Sequence, residues 1–229
     1  MKKASSRVHS HSQARLPARL SPRKSPRQKR SQTTVDAILK GASQVLVRVG
    51  YERANTTLIA RTAGVSVGSL YQYFPNKDAV FSALLKASFS AMIEGLRAII
   101  REAPRERLEA RVYRLVSATL AYKAQNPRLH RVLKTELGRL DGAKAMRQLS
   151  DQLLRLLEEL FAAYRDELPL RDPARAAFFV FNTVEGVVCA ALLDAPEVLS
   201  EPAFAQELSA ALSAMLESLS RSSSMSRPA

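Results

Sequence analysis

One stretch, Thr56–Lys77 (TTLIARTAGVSVGSLYQYFPNK), constrains this chain more than any other. Ile59, Ala60 and Ala63 recur at helical spacing and give a short helix one apolar face. Thr56 is expected to cap that helix, and Ser66 to cap a second one. Between them, Gly64 supplies the positive φ that a tight turn needs. Val65 plugs the junction, Leu70 anchors the second helix, and Ala60 is small enough for two helices to cross closely. The core has no need of Val67, Gly68, Ser69, Tyr71, Gln72 or Tyr73. Two short helices around a turn, the second with a surplus polar and aromatic face, form a helix-turn-helix for DNA.

The surplus residues suit that task. Gly68 costs about 1 kcal/mol relative to alanine in a helix, but it lets backbone approach a duplex edge. Gln72 carries an amide that can read adenine, and Val67 can contact a thymine methyl. The hydroxyls of Tyr71 and Tyr73 can reach phosphates. Core packing is the competing use of these rings and the expected use of Phe74. Lys77 opens a fourth helix, where the dipole disfavours a cation. A phosphate there reverses the penalty. An ordinary surface lysine is the simpler alternative.

Thr56–Lys77 resembles the helix-turn-helix of the TetR family of transcriptional regulators. The AGVS turn and the LYQYFPNK run are its most specific parts, and the resemblance covers about residues 33–85. It implies DNA contacts at Thr56, Thr57, Val67, Gly68, Ser69, Tyr71, Gln72, Tyr73 and Lys77. Leu58 departs from the polar or charged residue of many members and is expected to fold back onto the first helix. The arm before the motif is also longer than in many members.

The rest of the chain reads as helix. Glycine occurs only eight times and no strand alternation appears, so the expected fold is all-α with about nine helices. A three-helix DNA-binding domain occupies 32–76, and a helical ligand-binding and dimerisation domain 77–220. Flanking them are a disordered basic arm at 1–31 and a disordered tail at 221–229. The first helix begins near Thr33 and ends at Gly50, a left-handed cap. The fourth starts at Asn76. Further helical patterns cover 105–125, 128–140, 143–168, 172–194 and 202–220. Residues 1–31 hold ten of the basic residues and no acid, leaving +4 of the +14 net charge to the body. Such an arm suits phosphate contacts, and its composition is equally that of a solvated tail.

A short recognition helix reads only a few base pairs, so two copies on a palindromic site are expected. The family resemblance implies the same homodimer, usually through a four-helix bundle of the last two helices of each subunit. Phe179, Thr183, Gly186 and Ala190 share one face of the helix 172–194. Phe204, Leu208, Ala211, Met215 and Leu219 form a stripe on the last helix. Both surfaces also have intramolecular packing to do. Asn182, Glu185 and Cys189 fall on another face of 172–194. Together with Phe89, Met92, Tyr113, Tyr122 and Phe178 they are the candidate lining of a ligand pocket. Such a pocket would take a small hydrophobic or amphipathic effector, a cationic one if Glu185 faces it. The competing use of Glu185 is a salt bridge to Arg111, Arg114 or another helix.

The single cysteine, Cys189, excludes an internal disulfide. No metal-ligand spacing, nucleophile constellation or phosphate loop is present, so neither an enzyme nor a metal or other cofactor is expected. Lys2 and Lys3 lead into no apolar run. Asn182, Glu185 and Asp194 interrupt the apolar residues 176–195, favouring a buried helix over a membrane span. The expected setting is cytoplasmic, with no membrane partner. The expected function is a regulator, most simply a repressor released from its operator by ligand. A constitutive architectural DNA-binding protein is the alternative.

Overall fold

The computed structural model describes residues 29–103, 106–135 and 143–224. These form nine α-helices and no strand. They are α1 (Lys29–Arg53), α2 (Thr56–Ala63), α3 (Val67–Tyr73), α4 (Lys77–Ile100), α5 (Leu108–Ala124), α6 (Pro127–Thr135), α7 (Ala143–Ala163), α8 (Pro173–Asp194) and α9 (Pro202–Ser224), with a short 3₁₀ turn at Pro196–Ser200. The expected arm lies outside the described residues except for Lys29–Ser31, which begin α1. The expected tail overlaps α9 as far as Ser224, and its remainder is not described.

Local chemistry places the helix ends. Ser66 accepts a hydrogen bond from the amide of Ser69 at 3.0 Å and caps α3. Gly64 ends α2 in the left-handed conformation (φ 69°, ψ 28°). Asn55, rather than the expected Thr56, caps α2, accepting from the Leu58 amide at 2.8 Å. Either residue can cap, but Asn55 is the one with extended backbone, which leaves Thr56 as the first helical residue. Asn76 caps α4 through the Ala79 amide at 2.8 Å, so that helix begins one residue later than expected. At Gly50 (φ 74°) α1 breaks, and Tyr51–Arg53 add one further turn.

Two main apolar cores result, with a smaller cluster of Met92, Leu96 and Leu153. The first gathers Ile38, Leu46, Ile59, Leu70, Phe74 and Phe81 from α1–α4 and also takes in Leu133 of α6. The second lies among α4, α5, α7, α8 and α9, around Ile93, Leu120, Leu160 and Leu212. Helix α4 contributes to both. By length and composition α4 and α8 could each cross a membrane. Both bury residues in the helical cores, Ala79, Phe81 and Ile93 from α4 and Ala177, Val180 and Leu192 from α8. Helices α1 and α2 cross closely at Gly41, where a Cβ would come within 2.8 Å of the Ala63 backbone nitrogen.

Candidate nucleic-acid interface and regulatory cavity

The reader is built from α2 and α3. Val67, Gly68, Tyr71 and Gln72 are exposed on α3, with Thr57 exposed on α2. Nothing inside the protein requires a glycine at 68, since a Cβ there would meet only the Ser66 hydroxyl, at 3.9 Å. The helix-propensity cost is thus borne without an internal packing reason. Tyr71 is held in place by a hydrogen bond between its hydroxyl and Thr56 Oγ1 at 3.0 Å. The Ser69 hydroxyl is bonded to that of Ser66 at 2.8 Å. Tyr73 is mostly ring packing, 8% exposed within the first core. Leu58 does fold back, packing partly against the same core.

Lys77 differs most from the sequence reading. Its ammonium donates to the Tyr51 carbonyl at 3.1 Å and sits over the Tyr51 ring, 4.4 Å from the centroid. That carbonyl belongs to the last turn of α1, the negative end of a helix. The penalty expected at the start of α4 is therefore offset internally, with no phosphate needed. Tyr51 is fixed in turn by its hydroxyl, which donates to Asp78 at 2.7 Å. Burial, reinforced by Asp78, raises the pKa of this phenol.

A cavity of about 70 Å³ lies among α4, α5, α7 and α8, with Leu212 of α9 also in its wall. Its walls are apolar, including Met92, Ile100, Val116, Leu157 and Phe181, with Thr119 and Glu185 as polar exceptions. Of the expected lining, only Met92 and Glu185 face it. Phe178 is 54% exposed and Tyr113 38% exposed. Asn182 is exposed and donates to the Phe178 carbonyl. Tyr122 donates to the Ser88 carbonyl at 2.7 Å, and Phe89 packs beside the cavity residues Met92 and Leu96. Cys189 is only half-buried and does not line the cavity.

Glu185 forms a salt bridge with Lys134 of α6 at 2.9 Å, another helix as the competing reading allowed. Arg111 and Arg114 are engaged elsewhere, with Glu106 and Glu102. Near this pair lie two residues that periodicity did not single out as a site, Lys123 and His130, each 7% exposed. The Lys123 ammonium stands 5.2 Å from the centroid of the Phe89 ring. Burial lowers its pKa, and Glu185 partly opposes that. Burial works against the Lys134 charge too, but the attraction of Glu185 and the hydrogen bond donated to it outweigh that and raise the Lys134 pKa. His130 packs on Tyr122, with ring centroids 5.1 Å apart. Its pKa is pushed down to about 4 by burial, with Lys123 adding to the effect.

The lowered His130 pKa gives a test. As pH falls from 6.5 toward 4, the unfolded imidazole takes up a proton that the folded one refuses. Stability is lost as pH falls through that window, by about 3 kcal/mol at most. Urea midpoints measured across it should be flatter for His130→Leu than for the parent. An unchanged slope would assign the acid loss to other groups.

Residues 38–84 match the family model for bacterial regulatory proteins of the tetR family, and residues 107–216 match the tetracyclin repressor-like C-terminal domain. The chain belongs to the TetR family. This is a family of transcriptional regulators, and the described DNA-binding half has its helix-turn-helix. The nucleoid occlusion factor SlmA of Marinobacter nauticus is 29% identical over 159 residues, 66% of this chain and 80% of that one. Two solved structures share the fold. A protein described as a TetR-family transcriptional regulator, from Mesorhizobium loti, superposes with a TM-score of 0.70 at 18% identity, covering 82% of this chain and 98% of that one. The transcriptional regulator FadR of Bacillus subtilis, in complex with stearoyl-CoA, gives 0.66 at 21% identity, covering 80% and 98%.

On this TetR-family protein, the exposed large apolar side chains fall mainly in two places, Val67 and Tyr71 on α3 and Phe178 and Phe179 on α8. Phe178 and Phe179 meet edge to face at 6.0 Å. Gly186 and Ala190 continue the same outer face of α8, and Ala211 is exposed on α9. Thr183 joins the two helices by a contact to the Met215 sulfur at 4.0 Å. Phe204, Met215 and Leu219 are half-buried against the second core. Leu208, expected at a dimer interface, is 6% exposed and belongs to that core. Phe178, expected in the pocket, is on the outer face instead. One residue is about 100° of helical rotation, enough to move a side chain from core to surface.

Proposed function

We propose that the chain is a dimeric repressor that binds a palindromic operator through α3 and is released by a small hydrophobic or amphipathic ligand. The observation that carries the DNA reading is the exposed face of Val67, Gly68, Tyr71 and Gln72, none of them part of a buried core. Thr56, Thr57 and Ser69 flank it. In this reading the Tyr73 hydroxyl and Lys77 touch phosphate, Lys77 while still held by the end of α1. Outer-face residues of α8 and α9 pair the subunits. The complex of a structural neighbour with stearoyl-CoA supports an effector site of the same kind. The protein acts in the cytoplasm.

The coupling runs through two helices. Helix α4 joins the cores. Helix α6 places Leu133 in the reader core and, one residue on, pairs Lys134 with Glu185 at the cavity. A ligand that moves α4 or α6 changes the separation of the two readers. It acts only by its difference in affinity between the two shapes.

Replacing Gln72 with alanine should change base preference in an operator selection, with a loss of about 1–3 kcal/mol at one base pair. Lys77→Ala should weaken binding to all duplexes alike. Identical effects from both would end this division of roles.

Two observations favour a second reading, an effector-free DNA-binding protein. One is the relative named as a nucleoid occlusion factor. The other is the apolar cavity, whose 70 Å³ is far below the roughly 300–1,000 Å³ of ligand pockets, a range reached among the described residues by more open clefts of about 490 and 420 Å³ beside Tyr113. A competition assay separates the simplest form of this reading. If unrelated duplex competes as well as operator, the regulator reading fails.

A further inference from the structure

The charge pattern around the cavity is one-ended. On α5, Val112, Val116 and Thr119 line the cavity, and Lys123 follows Thr119 by one helical turn on the same face. On α8, Glu185 comes last among the lining residues Val180, Phe181, Val184 and Glu185. Phe89, over which Lys123 sits, packs beside Met92. The end of the cavity toward α6 is therefore polar, while the far end, around Ile100, Leu157 and Leu160, is hydrocarbon.

The polar end has an excess of positive charge. Lys123 and Lys134 share one carboxylate, Glu185, and Lys134 has claimed it at 2.9 Å. No carboxylate of the described residues forms an ion pair with Lys123, although its side chain is more than nine-tenths buried. His130, the other titratable group close by, is neutral at physiological pH and adds no charge. Cys189 is also near Lys123. A buried ammonium without a counter-ion is costly, and one negative charge delivered from the cavity would balance this cluster.

We propose that the effector is a monoanionic amphiphile, its acidic head on Lys123 and Lys134 and its apolar chain between α4, α5, α7 and α8. This rests on the ligand-responsive reading above and reverses the sign of charge that Glu185 alone suggested. The cavity holds only a few heavy atoms at its present size. Any longer chain must push its walls apart, Met92 of α4 among them. Binding of the head competes for Lys134, which ties α8 to α6. The chain and the head thus act on the same two helices that reach the reader.

The test uses three probes of equal chain length at monomeric concentrations: decanoate, decanol and decylammonium. Binding to the full-length protein is read by calorimetry and release of bound operator by fluorescence anisotropy. Decanoate should bind at least about tenfold more tightly than either other probe, the order expected for charge-assisted hydrogen bonds. Lys123→Met should abolish that preference while leaving decanol affinity within about twofold, since the cavity walls are untouched. Lys134→Gln, at a half-exposed position, should reduce the preference and serves if the first variant is unfolded. Equal or tighter binding of decylammonium or decanol would overturn the charge assignment but leave a ligand-responsive regulator. A decanoate preference that survives both substitutions would overturn the assignment to these lysines. If no probe binds while operator binding is intact, the amphiphile proposal falls together with the ligand-responsive reading beneath it.

Discussion

Arg111→Met is expected to destabilise the protein by about 3–5 kcal/mol, the range for breaking a buried charged network from one side. Arg111 is 1% exposed. Its guanidinium donates to the carbonyls of Ile99 at 2.6 Å, Glu102 at 3.2 Å and Ala103 at 3.0 Å, and its Nε donates to Glu106. Those carbonyls lie at and just beyond the end of α4, where backbone acceptors lack the full set of helical partners, although the Ile99 carbonyl also accepts from the Glu102 amide at 3.4 Å. One side chain on α5 therefore caps the helix that connects the two cores. Methionine fills the volume of the stem but satisfies none of the acceptors. Arg111→Lys should recover only part of the loss, because an ammonium cannot reproduce the planar fork. Thermal and urea unfolding of the three proteins gives the answer. A loss below about 1 kcal/mol for Arg111→Met would show that water satisfies these carbonyls as well as the guanidinium does.

The second large effect is expected at Phe179. Its ring is 41% exposed beside Phe178, on an otherwise smooth face of Gly186 and Ala190. In a dimer paired through this face, Phe179→Glu places a carboxylate in a desolvated contact on both subunits. Sedimentation should then show a monomer with the parent helical content. Affinity for a two-half-site operator should fall by about 10²-fold or more, as linked binding is lost. Affinity for a single half-site should barely change. A variant that sediments as a dimer would remove this face from the interface.

Features set by neighbouring residues were legible in the sequence. Gly64, Ser66 and Leu70 do what their spacing implied, because a turn, a cap and a core anchor depend on a few adjacent residues. The cap of α2 was misplaced by one residue, onto Thr56, because the adjacent Asn55 has the same capping chemistry. The Lys77 partner was not legible, since the end of α1 is brought to it only by folding across 26 residues. The cavity was harder still. Phe178 and Phe181 look alike on an apolar helix, and only the position of α7 decides which one turns inward. Lys123 was hidden for a related reason. A lysine in an amphipathic pattern reads as surface until the helices around it are placed.

Leu133 gives the reader a debt to the other half of the chain. It is 4% exposed in the core formed by α1–α4, yet it arrives from α6, about sixty residues beyond the end of α3. A fragment stopping after α3 would leave a hole where that side chain belongs. The DNA-binding half is therefore no interchangeable cassette. A chimera that grafts this reader onto another regulator must bring a matching α6, or redesign the surface that receives it.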